Sequence, residues 1–541
     1  MKKILIFVVL TALAFTAFSQ KIAKDSLVKD IKQVAKYLNQ THPDPFSAYG
    51  NQIEFYREVK RLTDNLPDEG LDTLEFFRYL APLLSHLGDA HTGLFSPKTK
   101  VETNIDYKFP INFSVANDCV FVSEATEEYQ SLIGYKLTKI NGLTVDAFIN
   151  KLKGIKALEN PFHEKLEVIY ILKEYSRIHS FFGDFKLNVS LEFIDLHNKI
   201  QTREMEYIDC SINKPNFIRT DITSIHNDTT MLSWKFANRD KSVAYLQIDK
   251  MATREALEQF SEDSPIFKAY AKNLYQKLKI EMPEGKAEIL KNIPSLTEMS
   301  FEVLKQMKKN KSEYLVVDLR KNSGGNSICF KPLMYMMYGD RIFNDTTSRE
   351  IIIKVSELLL KRTNTSLDEY NKSCNSNFEF GDYKFWSSKS VSENTEKDIQ
   401  ESKRNYFNRL KEAKTSTYDI LAQLKDQPLY TPKVILLVSP NTFSAAYDMV
   451  YSLLPYNVIT VGVTPGQAGN TYMDGISFTL PVSGLKGRIS KCKQVYFPYN
   501  SVKGKELTPD YVMNWDDFKK YNFDVNAELF YVLDLIQIGK L

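Results

Sequence analysis

One stretch restricts the fold more than any other. Lys433 to Gly469 reads KVILLVSPNTFSAAYDMVYSLLPYNVITVGVTPGQAG. Val434 to Val438 is a continuous apolar, β-branched run, as expected of a strand buried on both faces. Ser439-Pro440-Asn441-Thr442 reads as a turn, and from Phe443 onward Ala446, Met449, Val450, Leu453 and Leu454 recur at helical spacing. Ser444 therefore stands where a strand hands over to a helix. A hydroxyl placed there can point into a cleft, beside first-turn N–H groups that have no intrahelical partner. Nucleophilic serines use that arrangement, because the same N–H groups can hold an oxyanion. The plainer reading of Ser444 is a helix cap.

Other strands repeat the pattern. Ala244 to Ile248, Glu313 to Leu319, Val458 to Val463 and Ile476 to Leu480 join Val434 to Val438 in predicting an α/β domain over residues 240–541. Helical insertions are expected at about 252–312 and 341–428, the second polar and without a motif. Upstream, residues 20–100 alternate charge with apolar residues at helical spacing and predict a helical domain. That domain ends in Gly88-Asp89-Ala90-His91-Thr92-Gly93, where two glycines break the helix around a histidine. Residues 101–215 change to short strand-like runs. Among them an Asn141-Gly142 turn leads into a helix from Val145, as in a small β-rich module.

At 541 residues the chain exceeds one ordinary core. Its net charge of +3 gives no reason to propose nucleic acid or an anionic membrane as partner. Lys2 and Lys3 precede an apolar run from Ile4 to Phe18 that ends in Ala17-Phe18-Ser19. This reads as a signal peptide over residues 1–19, so the expectation is a periplasmic or secreted protein, not stably inserted in a membrane after cleavage. The five cysteines have neither CxxC nor metal-ligand spacing and read mostly as small buried hydrophobes.

Three islands could carry chemistry: Ser444, the run Asp318 to Ser327 with its Gly324-Gly325 pair, and His91. Paired glycines after a buried strand let the backbone approach a ligand, as an oxyanion hole requires, or simply make a tight turn. A Walker loop is excluded because no G-K-[ST] follows. A serine nucleophile needs a base. No lysine lies between Lys433 and Lys486, so a neighbouring Ser–Lys dyad is not available. Of seven histidines, His91 stands out through its glycine-flanked turn, although a lone histidine is more often a structural or surface residue. With no HExxH and no clustered His, Asp and Glu, neither metal nor cofactor is expected.

Taken in order, the runs GDAHTGLF (88–95), IGYKLTKING (133–142), VVDLRKNSGGNS (316–327), VSPNTFSAAYDMV (438–450), VGVTPGQAG (461–469), FTLPVSG (478–484) and TPDYV (508–512) resemble the C-terminal-processing (tail-specific) serine peptidase family. That resemblance implies a crotonase/ClpP-like catalytic core, and the 133–142 segment resembles a PDZ domain, a module that takes an extended peptide as an added strand. It implies Ser444 as nucleophile. It also implies an oxyanion hole from Ala445 with Gly324 or Gly325, and a polypeptide substrate. Gln467 stands where the processing branch has its catalytic lysine, whereas His91 matches the base of the tricorn-like branch. An acidic residue late in the chain completes the tricorn-like site, and Glu506 is the nearest match. The family's Ser-Ala-x-Glu is not reproduced, since Tyr447 and Asp448 follow Ser444-Ala445-Ala446. The competing expectation is therefore an inactive peptidase-like scaffold that binds a peptide or a small apolar ligand.

Overall fold

The computed structural model describes residues 21–97, 106–278, 280–344, 349–387 and 395–541. The signal peptide expected at residues 1–19 lies outside them.

A six-stranded sheet forms the spine. Its order is Leu232–Phe236, Val243–Ile248, Tyr314–Asp318, Lys433–Val438, Ile459–Gly462 and Tyr511–Val512. The first pair is antiparallel and every later pair parallel. The runs Val243–Ile248 and Tyr314–Asp318 are buried at every position, so no alternation shows in them, as expected for a sheet covered on both faces. One face packs on helices that include Leu296–Asn310 and Lys331–Tyr338, and the other receives Trp515, Phe518, Leu529 and Val532 from the C-terminal helices.

The helical domain consists of Lys24–Thr41, Gln52–Asp64 and Thr73–Ser85. Its apolar face is covered partly by itself and partly by Phe478, Leu480, Leu485 and Ile489, from a distant part of the chain. Those residues belong to an antiparallel hairpin, Asn470–Thr479 with Lys486–Val495. The hairpin forms a second sheet with Gly93–Leu94, Glu350–Lys354 and Tyr383–Ser387.

Two expectations need correction here. The first is that the further strand expected at 476–480 does form, but outside the six-stranded sheet, so the α/β domain over 240–541 holds two sheets rather than one run of strands. The 341–428 insertion, expected to be helical, supplies two of the second sheet's strands, because Ile351 to Ile353 pair with Cys492 to Gln494. Short strands in a polar segment have little local signature, and their partner lies far along the chain.

The β-rich unit is antiparallel, in the order Ile111–Val115, Val120–Ala125, Lys136–Ile140, Asn188–Ile194 and Ile200–Glu206. Asn141 and Gly142 both take positive φ, 49° and 78°, as a two-residue hairpin turn requires. Leu143–Thr144 then pairs back and leads into the helix Val145–Lys153. Ile111–Val115 is an edge strand, with the helix Pro161–Leu172 packed beside it.

Candidate active site

The strand Lys433–Val438 ends in a turn clamped from several sides. The Ser439 hydroxyl donates to Arg320 O (2.6 Å), the Thr442 hydroxyl donates to Leu319 O (3.0 Å), and Phe443 N–H donates to Asn322 O (3.1 Å). Ser444 N–H donates to the side-chain oxygen of Gln467. So held, Ser444 adopts φ 53° and ψ −125° at the start of the helix Ala445–Leu453. A side-chain-bearing residue keeps such a conformation only where its surroundings impose it, at a cost of order 1–3 kcal/mol. Its side chain makes no capping hydrogen bond, so the cap reading does not describe this serine.

Gly324 is pressed against it. A Cβ on Gly324 would lie 2.5 Å from Ser444 Cβ and 3.0 Å from Ala445 N, and one on Gly325 would lie 2.1 Å from Met251 O. Both also take positive φ, 99° and 146°, so glycine is required twice over. Gly324 N–H is already committed to Asn322 Oδ1 (2.9 Å). Among the described residues no acceptor is bonded to the N–H of Gly325 or Ala445. Of the glycine pair, Gly325 thus has the N–H left to meet a developing oxyanion.

His91 reaches this place through the second sheet. Asp89 Oδ1 accepts His91 N–H (2.7 Å), Asp89 O accepts Thr92 N–H (3.0 Å), and the Thr92 hydroxyl accepts Ser490 N–H (2.9 Å). The turn is thereby pinned to the hairpin that follows the Gln467 loop. The His91 ring lies 5.5 Å from the Phe443 ring, centroid to centroid, so residues 352 positions apart in sequence become neighbours. No hydrogen bond joins His91 to Ser444 among the described residues; such bonds are often long before substrate arrives. Asp89 is fully buried. Burial alone would raise its carboxyl, but a hydrogen bond to His42 (3.3 Å) and that ring's charge hold it at about 2.

Sequence reasoning missed two residues here. His163 also packs on Phe443, with ring centroids 5.3 Å apart, and burial pushes it down to about 3. Its Nδ1 accepts Glu159 N–H (3.3 Å), which leaves the neutral ring's proton on Nε2 and makes it a poor base there. Glu159 itself is buried, with Oε1 4.0 Å from His91 Nδ1. Both residues follow the β-rich unit's helix Val145–Lys153 and come from a segment with no sequence signal. Asp89, His91 and Glu159 also bring ligand-type atoms within 4.8 Å of one another, a cluster that their spacing in the sequence conceals. Two of those groups are already engaged, Asp89 by His42 and His91 N–H, and Glu159 Oε2 by Ala468 N–H (2.8 Å).

The other residues singled out in the sequence have different places. Glu506 follows the short turn Val502–Gly504, its N–H bonded to Val502 O (3.0 Å), and among the described residues it has no bond to His91. The carboxylates that do face His91 are Glu159 and Asp89. Asp448, one position beyond the family's glutamate, binds the Ser327 and Tyr496 hydroxyls and Gln494 Nε2, so it ties the glycine loop to the Ser444 helix. Gln467 is fully buried, and its oxygen holds Ser444 N–H rather than any base.

Residues 290–513, which carry the glycine loop, Ser444 and Gln467, match peptidase family S41. The class is therefore a serine-type peptidase. Within that class the segment is similar to family S41, the family that the ordered runs resemble. Mature CPAF complexed with lactacystin superposes with TM-score 0.56 at 13% identity, over 95% of this chain and 99% of its own. Mature CPAF gives TM-score 0.56 and 13% identity over 96% and 99%. The photosystem II D1 C-terminal processing protease aligns over 92% and 94%, with TM-score 0.41 and 9% identity. The likeness to CPAF is one of fold. No curated protein matches the sequence.

Proposed function

We propose that this chain is an exported serine peptidase of the tricorn-like type, which cleaves extended or unfolded polypeptides through an acyl-enzyme on Ser444 with His91 as general base. The observation that carries the reading is the constrained Ser444, uncapped at a helix start with Ala445 and Gly325 N–H groups unengaged. Attack by Ser444 Oγ on the scissile carbonyl passes its proton to His91. The two N–H groups stabilise the oxyanion, and the imidazolium then protonates the leaving amine. Water, deprotonated by His91, releases the acyl group. A cavity of about 430 Å³ runs between the edge strand Ile111–Val115 and the helix Pro161–Leu172, lined by Phe113, Ile169, Tyr170 and Pro440. A PDZ-like unit would take an extended chain as an added strand there. The Tyr170 hydroxyl donates to Asn441 Oδ1 (2.7 Å), which links that groove to the Ser444 turn. Export is supported by the Ile4 to Phe18 run alone.

The test uses purified protein, a fluorophosphonate probe and unfolded casein. Labelling and cleavage by wild type, both absent in Ser444→Ala, are expected. Labelling no better than in Ser444→Ala would leave the inactive peptide-binding scaffold as the reading.

A further inference from the structure

Two buried polar atoms face each other beside the proposed base, and among the described residues neither has a hydrogen-bond partner: His91 Nδ1 and Glu159 Oε1, 4.0 Å apart. The other Glu159 oxygen is satisfied, since Oε2 accepts Ala468 N–H at 2.8 Å. Ala468 adjoins Gln467, whose side chain holds Ser444 N–H, so Glu159 bridges the histidine and the loop that fixes the serine. Closing the gap by about 1 Å makes a hydrogen bond, and which atom carries its proton decides what His91 can do.

We propose that Glu159 is a positioning residue that selects the tautomer of His91, and so sets whether its Nε2 can accept the Ser444 proton. When the Glu159 carboxyl is protonated, the proton belongs on Oε1, because Oε2 already faces an N–H that can only donate. Oε1–H then donates to Nδ1, and the neutral ring carries its own proton on Nε2, where it blocks base catalysis. When Glu159 loses that proton to solvent, its carboxylate accepts from Nδ1–H. The ring proton moves to Nδ1 and the Nε2 lone pair faces the serine. The inference rests on the Ser444–His91 reading above.

The surroundings favour the protonated carboxyl at neutral pH. Burial pushes Glu159 up to about 8, with the nearby Asp89 charge in the same direction, and the backbone of Ala468 and Ala90 and the Thr471 side chain oppose it. Burial also lowers His91, so the ring is neutral. The charged and titratable groups around the pair are Asp89 on the His91 turn and Arg488 and Asp474 on the hairpin. Asp448 and Tyr447 face it from the Ser444 helix, and His163 from the helix Pro161–Leu172. The Tyr447 hydroxyl is pushed up beyond its ordinary range by burial and His163 is held neutral by burial, so neither changes charge near neutral pH.

The experiment compares wild type, Glu159→Gln and Glu159→Ala by pH profile and by ¹⁵N spectra of histidine-labelled protein, with His91→Ala to assign the signal. In wild type, kcat/KM should rise with an apparent pKa near 8, and the His91 ring nitrogens should exchange protonated and unprotonated shifts over the same range. Glu159→Gln is the sharp case. Ala468 N–H draws the amide oxygen, so the amide NH₂ faces Nδ1 and the blocked tautomer persists at every pH. Activity should then lie roughly 10³–10⁴-fold below the wild-type plateau, the scale of a wrong-tautomer lesion. Glu159→Ala should lose the step near 8 and exceed Glu159→Gln. A purely structural glutamate would give the opposite order, with the isosteric Gln the milder change. Wild-type activity in Glu159→Gln, or a His91 tautomer that does not change with pH in wild type, overturns the inference. The spectra need no turnover, so they decide it even if fluorophosphonate labelling fails and the peptidase reading falls.

Discussion

Replacing Ser444 by alanine is expected to lower casein cleavage about 10⁶-fold and to abolish fluorophosphonate labelling, with Tm near wild type. Among the described residues the serine side chain supports no hydrogen bond of the fold, since its hydroxyl does not cap the helix and the clamps on the turn run through Ser439, Thr442, Phe443 N–H and Ser444 N–H. Alanine keeps the same backbone demands at φ 53°, so strain is unchanged. His91→Ala should cost a similar factor, because a nucleophile without its base is as poor as a base without its nucleophile, and the double variant should lose little more. Strict additivity of the two losses would mean that Ser444 and His91 act separately, against the proposed dyad. A large fall in the Tm of His91→Ala would assign that ring a structural role against Phe443.

The strand-to-helix passage at Ser444 was legible because both halves are local: an apolar run sets one period, Ala446 to Leu454 the other, and the polar turn lies between. Ordered runs also led to the family that residues 290–513 match. What escaped had no local cause. Gln467 looked like a lost catalytic lysine, and nothing in its neighbours said that its oxygen would hold Ser444 N–H. Glu159 precedes a helix capped by Asn160, which in sequence is an ordinary helix start. Burial, together with the nearby Asp89 charge, makes its carboxyl unusual. The paired glycines were visible, but their division of labour was not, since it depends on Asn322 turning its side chain back onto Gly324 N–H.

Asp318→Ala should be the most destabilising single change in the core sheet, by about 3–5 kcal/mol, measured as a fall in the urea midpoint. Read in sequence as the lead into an oxyanion loop, Asp318 is fully buried and sits at the centre of a brace. Its oxygens accept from Arg320 Nε (2.9 Å) and Nη2 (2.7 Å) and from the Tyr245 hydroxyl (2.6 Å), with His226 Nδ1 at 3.4 Å. Arg320 reaches on to Val525 O (2.8 Å) and Glu528, which fastens the C-terminal helix to the strand. Removing the carboxylate leaves a buried guanidinium short of its main partner, which costs more than the pair ever contributed. The loss should depend on pH in a defined sense. Although burial opposes it, the Arg320 charge and the His226 hydrogen bond hold Asp318 well below its ordinary 3.8. Its contribution is present above that value and is lost as acid titrates it toward the folded value. His226 runs the other way: burial lowers it, but hydrogen bonds to Asp249 and Asp318 leave it above 6.5, so its share is full below 6.5 and fades as pH rises through the folded value. The gap between wild type and Asp318→Ala should therefore be widest between about pH 4 and 6.5 and narrow on both sides. A gap that stays constant with pH would make the brace a matter of packing rather than charge. Because this strand leads into the loop that holds Asn322 and Gly325, the variant should also label more slowly at pH values where it remains folded.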